Sequence, residues 1–552
     1  MPSLMEIVER VGKGELIDPA PLEVYEDSPN SAEKFLAHHA HAMLDLRHAQ
    51  QHLMTSLEAI DYSDQKVLNQ FVSISSFLGL TDLRCGPIVK FGASAIGRRE
   101  NALGLEAIQN AVAYDLTHNG AFTSDRESCQ FIAMQYERAA QSVAWANTQS
   151  LEYNNKQTRI ALIVSGLADD DPASRAVRGL AKHHDAKRYK LCVYSTEAGA
   201  RRDKQQFAPS IHVPSSVKRG AATLDLLGKL KVQAWLAGTD GDLIASARQL
   251  ADQLVKDRID VAIFDTTQAD PIAAIVAGWE VARVKINFCR RTPLYVAGLS
   301  CVSYFDQARY EADKNYWQSK HVDSRYILDG VDVDEDLVAG PQRSTYGIPE
   351  QALVLATAGS ELDKTVSPEL VDAAINILRA HPHAIYLLVG EGELSWQKRK
   401  FESAGVAKRV GYAGKRKDLP GFLRIADVYL AEFPAAGAAG VLGAMTVERP
   451  VVAIRWGDSA EQSQAAALVG SEATVAGRDA NAYVERVSKI VREGSYRAKL
   501  GKLMKERVMQ HFAFSQTARH IEQMCDQLIQ QKTDAQTAAA PTEDAQPLAA
   551  VA

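Results

Sequence analysis

The sequence lacks the usual signs of secretion, membrane insertion and disulfide or metal frameworks. Its N-terminal stretch, MPSLMEIVERVGKGEL, mixes acidic and basic residues without an apolar core of signal-peptide length. No later run reaches the roughly 18 apolar residues that a membrane span needs. Six cysteines are scattered without a CxxC pair, as is typical of reduced thiols. We therefore expect a cytoplasmic protein with no membrane span.

A charge excess of one sign is also missing. Lys and Arg total 62 against 68 Asp and Glu, which gives a net charge of -6. Proteins that bind polyanions usually carry a basic excess, so we expect no nucleic-acid partner. Hydrophobic residues make up 46% of the 552 residues, which is enough for several hydrophobic cores.

Residues 1–155 are predicted to form an all-α N-terminal domain. From Ser31 to about Trp145 apolar residues recur at helical spacing, as in SAEKFLAHHAHAMLDLRHAQQHLMTSL. No convincing tandem repeat of about 34 residues is visible, so the sequence leaves a solenoid of helix pairs open. If the protein forms a homo-oligomer, we expect this domain to mediate it.

Histidines in this segment raise the question of a metal site. Asp45, His48 and His52 fall on one helical face at three- and four-residue spacing. However, no HExxH motif or cysteine partner accompanies them, and histidines are common on helix surfaces without metal. We therefore predict no metal site.

Beyond LEYNNKQT, short apolar runs rich in branched residues alternate with helices, which predicts two doubly wound α/β domains. We assign residues 156–325 to the first, 326–500 to the second and 501–531 to a C-terminal helix. The remaining residues, 532–552, have an Ala/Pro/Gln/Thr composition that predicts disorder. The predicted strands are TRIALIVSGL, YKLCVYST, IHVPSS, VQAWLAG, IDVAIFDTT and VKINFCR in the first domain, and ALVLATAG, HAIYLLVGEG, AKRVGYAG, ADVYLAEF and PVVAIRW in the second.

The segment ADVYLAEFPAAGAAGVLGAM is the most informative loop. It predicts a strand that ends at Glu432, a loop of small residues and a helix that begins near Gly440. Small side chains let a diphosphate approach the free N–H groups and positive dipole of a helix N-terminus. Composition alone equally allows Gly437, Ala438, Ala439 and Gly440 to serve only close helix-to-sheet packing. Lys364, in the first loop of the same domain, favours phosphate because its ammonium group can reach phosphate oxygens.

Several motifs stand out over roughly residues 325–475. They are Ser-Glu-Leu-Asp-Lys364, His381-Pro382, Tyr386-Leu-Leu-Val-Gly390, Asp418-Leu-Pro420, Ala426-Asp-Val-Tyr-Leu430, Phe433-Pro434, Ala444-Met445 and Pro450-Val-Val452. Together they resemble the C-terminal half of GT-B glycosyltransferases, most closely the O-GlcNAc-transferase-like group. This group includes bacterial cytoplasmic protein N-glycosyltransferases with an all-α N-terminal domain. The resemblance implies an α/β protein of the GT-B fold, with two Rossmann-like domains facing a cleft and an all-α domain before them.

The resemblance also implies a reaction and roles for two residues. It points to a metal-independent, inverting hexosyltransferase that uses a nucleotide sugar, expected to be UDP-linked, as substrate and needs no cofactor. Lys364 would contact the donor pyrophosphate, and Glu432 would bind the donor ribose, since a carboxylate can accept hydrogen bonds from two hydroxyls. The acceptor would be a protein or a glycan, and relatives with a helical N-terminal domain favour a protein.

Two departures from related families concern the same loop. The O-GlcNAc-transferase-like group usually has hydroxyl residues there, often His-Thr-Thr, whereas this chain has Gly437-Ala438-Ala439, so only backbone N–H groups remain to hold phosphate. A large retaining family of similar fold carries two glutamates eight positions apart, where this chain has Ala435 and Gly443. That family is the poorer match, although Gly330-Val331-Asp332 resembles its interdomain linker.

The first α/β domain offers a candidate general base. Asp170-Asp171-Pro172 stands where related enzymes often have Asn-His-Pro near the acceptor. A carboxylate in a closed cleft can have its pKa raised toward the working pH, and Asp171 is the best candidate for the base. The competing interpretation, which we favour on frequency, is a solvated turn that caps the helix from Ser174.

Basic residues elsewhere are weaker candidates. Arginines can offer forked donors to phosphate or to an acidic acceptor, and a basic run after VGYAG can touch the donor or simply be solvated. These residues are Arg175, Arg178, Arg290, Arg291 and Lys415-Arg416-Lys417.

Two other functions stay open on the sequence. A sugar-nucleotide epimerase uses the same twin-domain fold, but it needs acid/base carboxylates and histidines in loops that are poor in histidine here. A noncatalytic scaffold would explain the loss of hydroxyls from the phosphate loop, with the helical domain binding a partner.

Overall fold

We analysed a computed structural model of the chain. It describes residues 3–12, 15–26, 28, 31–45, 48, 51–52, 55, 85–117, 120–142, 145, 156–169, 171–200, 216–239, 242–333, 341–359, 361–416, 419–434, 436–457 and 460–539. None of the helices described is long and apolar enough to cross a membrane.

The N-terminal region is helical, as predicted. Amphipathic pairing explains the first three helices, which enclose a small core of Leu4, Ile7, Leu22 and Ala37. The helices are α1 (Leu4–Gly12), α2 (Ala20–Glu26), α3 (Ser31–Leu44), α4 (Cys85–Gly97), α5 (Asn101–Thr117), α6 (Ala121–Ser124) and α7 (Arg126–Gln141).

A seven-stranded sheet follows. Its strand order is β3-β2-β1-β4-β5-β6-β7, and the registers recorded for its pairs from β3 through to β6 are parallel. This is the doubly wound order, in which ligands bind where the direction of winding reverses, between β1 and β4. The strands are β1 (Thr158–Val164), β2 (Tyr189–Ser195), β3 (Gln233–Leu236), β4 (Val261–Asp265), β5 (Val284–Cys289), β6 (Cys301–Tyr304) and β7 (Asp323–Tyr326).

Helices connect these strands, as the βαβ alternation requires. They are α8 (Pro172–His183), α9 (Ser216–Arg219), α10 (Ala221–Lys229), α11 (Leu243–Lys256), α12 (Pro271–Gly278) and α13 (Gln307–Ser319). Two of them, α8 and α12, begin with a proline at the first helical position, which needs no N–H donor there.

A six-stranded parallel sheet forms the second α/β domain. Its order is β10-β9-β8-β11-β12-β13, so the winding reverses between β8 and β11. Apolar strands such as β8 and β11 are buried on both faces, as parallel strands usually are. The strands are β8 (Leu353–Gly359), β9 (Ala384–Gly390), β10 (Val410–Tyr412), β11 (Val428–Leu430), β12 (Val451–Arg455) and β13 (Thr474–Ala476).

The helices of this second domain pack on its sheet and continue to the end of the described chain. They are α14 (Leu362–Thr365), α15 (Pro368–Ala380), α16 (Ser395–Ser403), α17 (Leu419–Leu423), α18 (Ala438–Thr446), α19 (Ala460–Val469), α20 (Ala480–Arg492), α21 (Gly494–Arg507) and α22 (Phe514–Ala539). By its internal contacts the chain divides into two units, Met1–Tyr304 with Tyr316–Arg325 and Met524–Ala552, and Phe305–Asn315 with Tyr326–Gln523.

Some details differ from the sequence-based prediction. The short strands β6, β7 and β13 were not predicted from the sequence, whereas the equally short β3, β10 and β11 were. The last helix does not end at residue 531 but continues to Ala539, through Ala and Gln residues that favour helix. The predicted strand IHVPSS and the tail beyond Ala539 lie outside the described residues, except that Ser216 begins α9.

Candidate functional site

The carboxyl edge of the second sheet brings several predicted residues to its switch point. Gly359 ends β8, and Glu432 follows β11, the strand beside it. Oε1 of Glu432 lies 3.3 Å from the point that a Cβ on Gly359 would occupy, so the two loops touch. A crevice at the switch point is the usual ligand site of such a sheet.

Glu432 is buried without adequate partners. Only 3% of the residue is exposed, and its Oε1 has no hydrogen-bond partner among the described residues. The Tyr429 hydroxyl lies 3.5 Å from Oε2, at the limit of a hydrogen bond. Burial raises the pKa of Glu432 to about 8, because the loss of hydration outweighs the hydrogen bonds from its own backbone and from Tyr429. The side chain is therefore mostly protonated at neutral pH.

Helix α18 begins beside this carboxyl. The sequence placed its start near Gly440, and the structure starts it two residues earlier, at Ala438, with Gly437 as the N-cap. No side-chain hydrogen bond caps Gly437 in the described structure. The first N–H groups of a helix have no partner within the helix, so these donors are available to a ligand.

The four small residues of this loop do not share one role. Gly440 packs closely, because a Cβ there would lie 2.1 Å from the Tyr429 hydroxyl and 2.6 Å from the Ala358 carbonyl oxygen. A Cβ on Gly437, in contrast, would meet nothing within 4 Å. The packing interpretation therefore holds for Gly440, whereas the steric surroundings of Gly437 do not require a glycine. Ala438 is half-buried and Ala439 exposed.

Lys364 lies in the short helix α14, which follows β8 in the same loop region. Its ammonium group bonds to the Glu361 carboxylate, and both side chains are largely exposed. The hydrogen bond and charge of Glu361 raise the pKa of Lys364, which keeps it cationic. The lysine can exchange this exposed partner for another anion at little cost.

The loop after β9 also contributes to this edge, which the sequence analysis did not predict. Gly390 has φ of +145°, and a Cβ there would lie 1.7 Å from the Gly359 carbonyl oxygen. Glu391 accepts a backbone hydrogen bond from Leu362 and pairs with Lys415 at 3.3 Å. The Gly-Glu-Gly sequence after a buried strand was the available signal.

The basic residues Lys415 and Arg416, near this edge, make different kinds of contact. Lys415 is exposed in its pair with Glu391. Arg416 places its guanidinium over the rings of Tyr346 and Phe422, at 5.2 and 4.8 Å from their centroids. Lys417 lies outside the described residues.

Asp171 belongs to the other unit and caps a helix there. It is the N-cap of α8, and its Oδ1 accepts a hydrogen bond from the Ala173 N–H at 2.8 Å. The helix starts at Pro172 rather than near Ser174. The capping interpretation is therefore correct, while a further role as general base stays a prediction.

The candidate arginines of the first α/β domain are engaged with protein groups. Arg290 forms a two-pronged pair with the buried Asp265, at 2.8 and 2.9 Å. Arg291 donates to the Leu116 carbonyl oxygen, and Arg178 donates to Thr223 and to the backbone of Asp169. These arginines hold loops in place, whereas Arg175 is exposed.

The histidines of the helical region do not group as their spacing predicts. His48 Nδ1 lies 2.7 Å from Asp45 Oδ2, and both are substantially exposed. His52 lies instead with Glu26 and His38. Residues distant in sequence form this cluster, so helical periodicity could not find it.

A cavity of about 740 Å³ in the second domain lies away from the switch point. Arg424 and Arg449 line it near the amino ends of β11 and β12. In doubly wound sheets ligands bind at the carboxyl ends of the strands, so we base the site on the switch point rather than on this cavity.

Comparisons with known proteins bear on the family and the fold. Residues 356–493 match the family model described as glycosyl transferases group 1. No curated protein sequence matches the chain significantly. Among solved structures, a mutant of the Thermobaculum terrenum O-GlcNAc transferase is similar with a TM-score of 0.53 and 15% identity, over 98% of this chain and 100% of its own.

Two further structures are more distant. A glycosyltransferase from Rickettsia africae covers 68% of this chain and 99% of its own at 12% identity, with a TM-score of 0.48. The Anabaena protein HepE in complex with UDP and glucose covers 67% of this chain and 100% of its own at 14% identity, with a TM-score of 0.46. The predicted α/β fold with a helical N-terminal region is confirmed: the chain has the GT-B fold, and its residues 356–493 form a glycosyl transferases group 1 domain.

Proposed function

We propose that the chain is a glycosyltransferase that binds a nucleotide-sugar donor at the switch point of its second α/β domain. The observation that carries the proposal is Glu432, a buried carboxyl without adequate partners beside an uncapped helix N-terminus, within the residues that match the glycosyl transferases group 1 model. Buried polar groups are nearly always paired in folded proteins. An unpaired one with a displaced pKa favours a functional role.

The donor pyrophosphate is assigned to the start of α18. The N–H groups of Ala438, Ala439 and Gly440 are the first of the helix, and its dipole favours an anion there. No side chain of the loop has a hydroxyl group that could donate a hydrogen bond to the pyrophosphate, so most of the remaining attraction for the pyrophosphate comes from the charge of Lys364. This charge also stabilises the nucleotide diphosphate as it leaves, which requires no metal ion and no cofactor.

The donor ribose is assigned to Glu432. Two ribose hydroxyls would supply the hydrogen bonds that its carboxylate lacks, and charge-assisted hydrogen bonds of this kind are strong. Because Oε1 is buried in the free protein, donor binding has to open the contact between the loops after β8 and β11. UDP is the nucleotide that the family resemblance favours.

Transfer is proposed to proceed with inversion onto a protein acceptor, with a glycan as the alternative. Asp171 is the candidate general base. Its side chain is exposed, and the hydrogen bond that caps the helix is accepted by Oδ1, one of its two carboxylate oxygens. A cytoplasmic location and self-association through the helical domain remain predictions.

Calorimetry with UDP, GDP, ADP and their sugar conjugates tests donor binding in the full chain, with and without EDTA. We expect micromolar or tighter binding of one nucleotide family, unaffected by EDTA, and a loss of about tenfold or more in Lys364→Ala. Lys400→Ala is the matched control, because Lys400 forms a similar exposed pair with Asp372 on the helices behind the sheet. Binding of no nucleotide would support the noncatalytic scaffold instead.

Mass spectrometry of co-expressed proteins and glycans then tests transfer. A base role for Asp171 predicts that Asp171→Asn folds normally, since Asn also caps helices, but loses transfer by about a hundredfold or more. Asp242→Asn is the control, because Asp242 caps α11 in the same way, with Oδ1 3.0 Å from the Ile244 N–H. Equal transfer in both variants would remove Asp171 from the mechanism.

A further inference from the structure

We propose that Glu26, His38 and His52 bind a divalent transition-metal ion, with zinc preferred, in the helical N-terminal region. One potential ligand atom from each side chain lies within 4.8 Å of the other two. Two imidazoles and a carboxylate form a ligand set that zinc accepts. The site is independent of the proposed donor site, which lies in the other unit.

The ligand atoms have to move closer together to bind a metal, and two of their three separations are known as single distances. Glu26 ends α2, His38 lies within α3 and His52 lies beyond that helix. The Nδ1 atoms of His38 and His52 are 3.9 and 4.0 Å from Glu26 Oε1. Zinc bonds of about 2.0–2.1 Å place tetrahedral ligand atoms roughly 3.4 Å apart, so these two separations need to shorten by about 0.5 Å.

The three side chains of the cluster are mostly buried rather than on the surface. The side chains of His38, His52 and Glu26 are 8%, 18% and 19% exposed. His38 Nδ1 is buried and has no hydrogen-bond partner in the described part of the chain, although a buried ring nitrogen normally has one.

His41 positions the carboxylate. Its Nδ1 is hydrogen-bonded to the Glu26 carboxylate, and its ring stacks on that of His52 at 4.0 Å between centroids. Because His41 Nδ1 contacts the Glu26 carboxylate directly, His41 is assigned to orienting Glu26 rather than to the metal. Such supporting residues commonly change metal affinity by about 10–100-fold. Three protein ligands leave one position for water.

A metal here would join elements that lie apart along the chain. Among the described residues of this region, α1, α2 and α3 enclose a small apolar cluster, which includes Leu4, Leu22 and Ala37. Small units often depend on a metal for stability because a small core contributes little. One ion bound by all three side chains would hold α2, α3 and the segment of His52 together.

The test uses the full chain without a histidine tag, stripped with a chelator and then titrated with Co²⁺ and Zn²⁺. We expect one equivalent of Co²⁺ to give the intense visible absorption of a low-coordinate site, and Zn²⁺ to displace it. His38→Ala and His52→Ala should each weaken binding by a hundredfold or more, and His41→Ala by about 10–100-fold. His48→Ala is the control, because His48 is exposed and paired with Asp45.

Two results would overturn the proposal: less than half an equivalent bound by the wild type at micromolar metal, or unchanged binding in His38→Ala and His52→Ala. If the more buried His38 variant fails to fold, as judged by circular dichroism, Glu26→Gln and His52→Ala decide the matter. A metal-dependent rise of the thermal midpoint in the wild type and in His48→Ala, but not in His52→Ala, would support it independently.

Discussion

Replacing Glu432 with glutamine should make the protein more stable at neutral and alkaline pH. The folded protein holds the Glu432 proton up to about pH 8, whereas an unfolded chain releases it near 4.5. Between these values the folded state binds more protons, so its stability falls as pH rises, by about 1.4 kcal/mol per pH unit. The penalty is about 3 kcal/mol at pH 7, and glutamine, which has no charge to bury, escapes it.

Scanning calorimetry from pH 5 to pH 9 checks this prediction. Between pH 5 and pH 8 the wild type should lose roughly 3 kcal/mol more than Glu432→Gln, which is on the order of 6–12 °C in the midpoint of a domain of this size. The control is Glu448→Gln, since Glu448 is exposed in its pair with Lys505. Parallel pH profiles of wild type and Glu432→Gln would refute the assignment of a buried, unpaired carboxyl.

Three further predictions concern the same site. Donor affinity measured by calorimetry should rise with pH up to about 8, by at most tenfold per pH unit, because ribose hydroxyls bind the ionised form of Glu432 more strongly. The same dependence of affinity on pH in Glu432→Gln would contradict this. Gly440→Ala should lower the stability by about 1–3 kcal/mol in thermal unfolding, since its Cβ would lie 2.1 Å from the Tyr429 hydroxyl. Gly443→Ala is the control and should not, because the nearest neighbour of its Cβ would lie at 3.7 Å. Equal thermal midpoints of the two variants would argue against the close packing of Gly440. Tyr429→Phe should cost about 1–3 kcal/mol in denaturant unfolding, because the Ala358 N–H, 3.1 Å from the hydroxyl, loses its partner; an unchanged stability would remove this bond from the account.

The architecture could be predicted from the sequence because buried parallel strands are visible as long apolar runs. Strands β1, β8 and β9 each have seven residues and lie within segments predicted from composition alone. Strands β6, β7 and β13 have three or four residues, lie in segments without a long apolar run and form beside a neighbouring strand. Their existence depends on tertiary pairing, which local periodicity does not contain.

The candidate site was only partly visible in the sequence. The motif identified Glu432 and the glycine loop as neighbours along the chain, but the burial and missing partners of Glu432 depend on how β8 and β11 pack. The loop of Gly390 reaches the site from a third strand. Glu26, His38 and His52 come together only when α2 and α3 pair, so no spacing rule could group them.

Hydrogen–deuterium exchange on the full chain, with and without saturating UDP or the nucleotide that binds best, tests the central claim most directly. The account predicts slower exchange in peptides that cover residues 359–365 and 432–446, because phosphate occupies the N–H groups of α18 and ribose orders the loop at Glu432. Lys364→Ala should reduce this protection. Binding that leaves both segments unchanged and protects other parts of the chain instead would show that the donor site has been placed in the wrong part of the molecule.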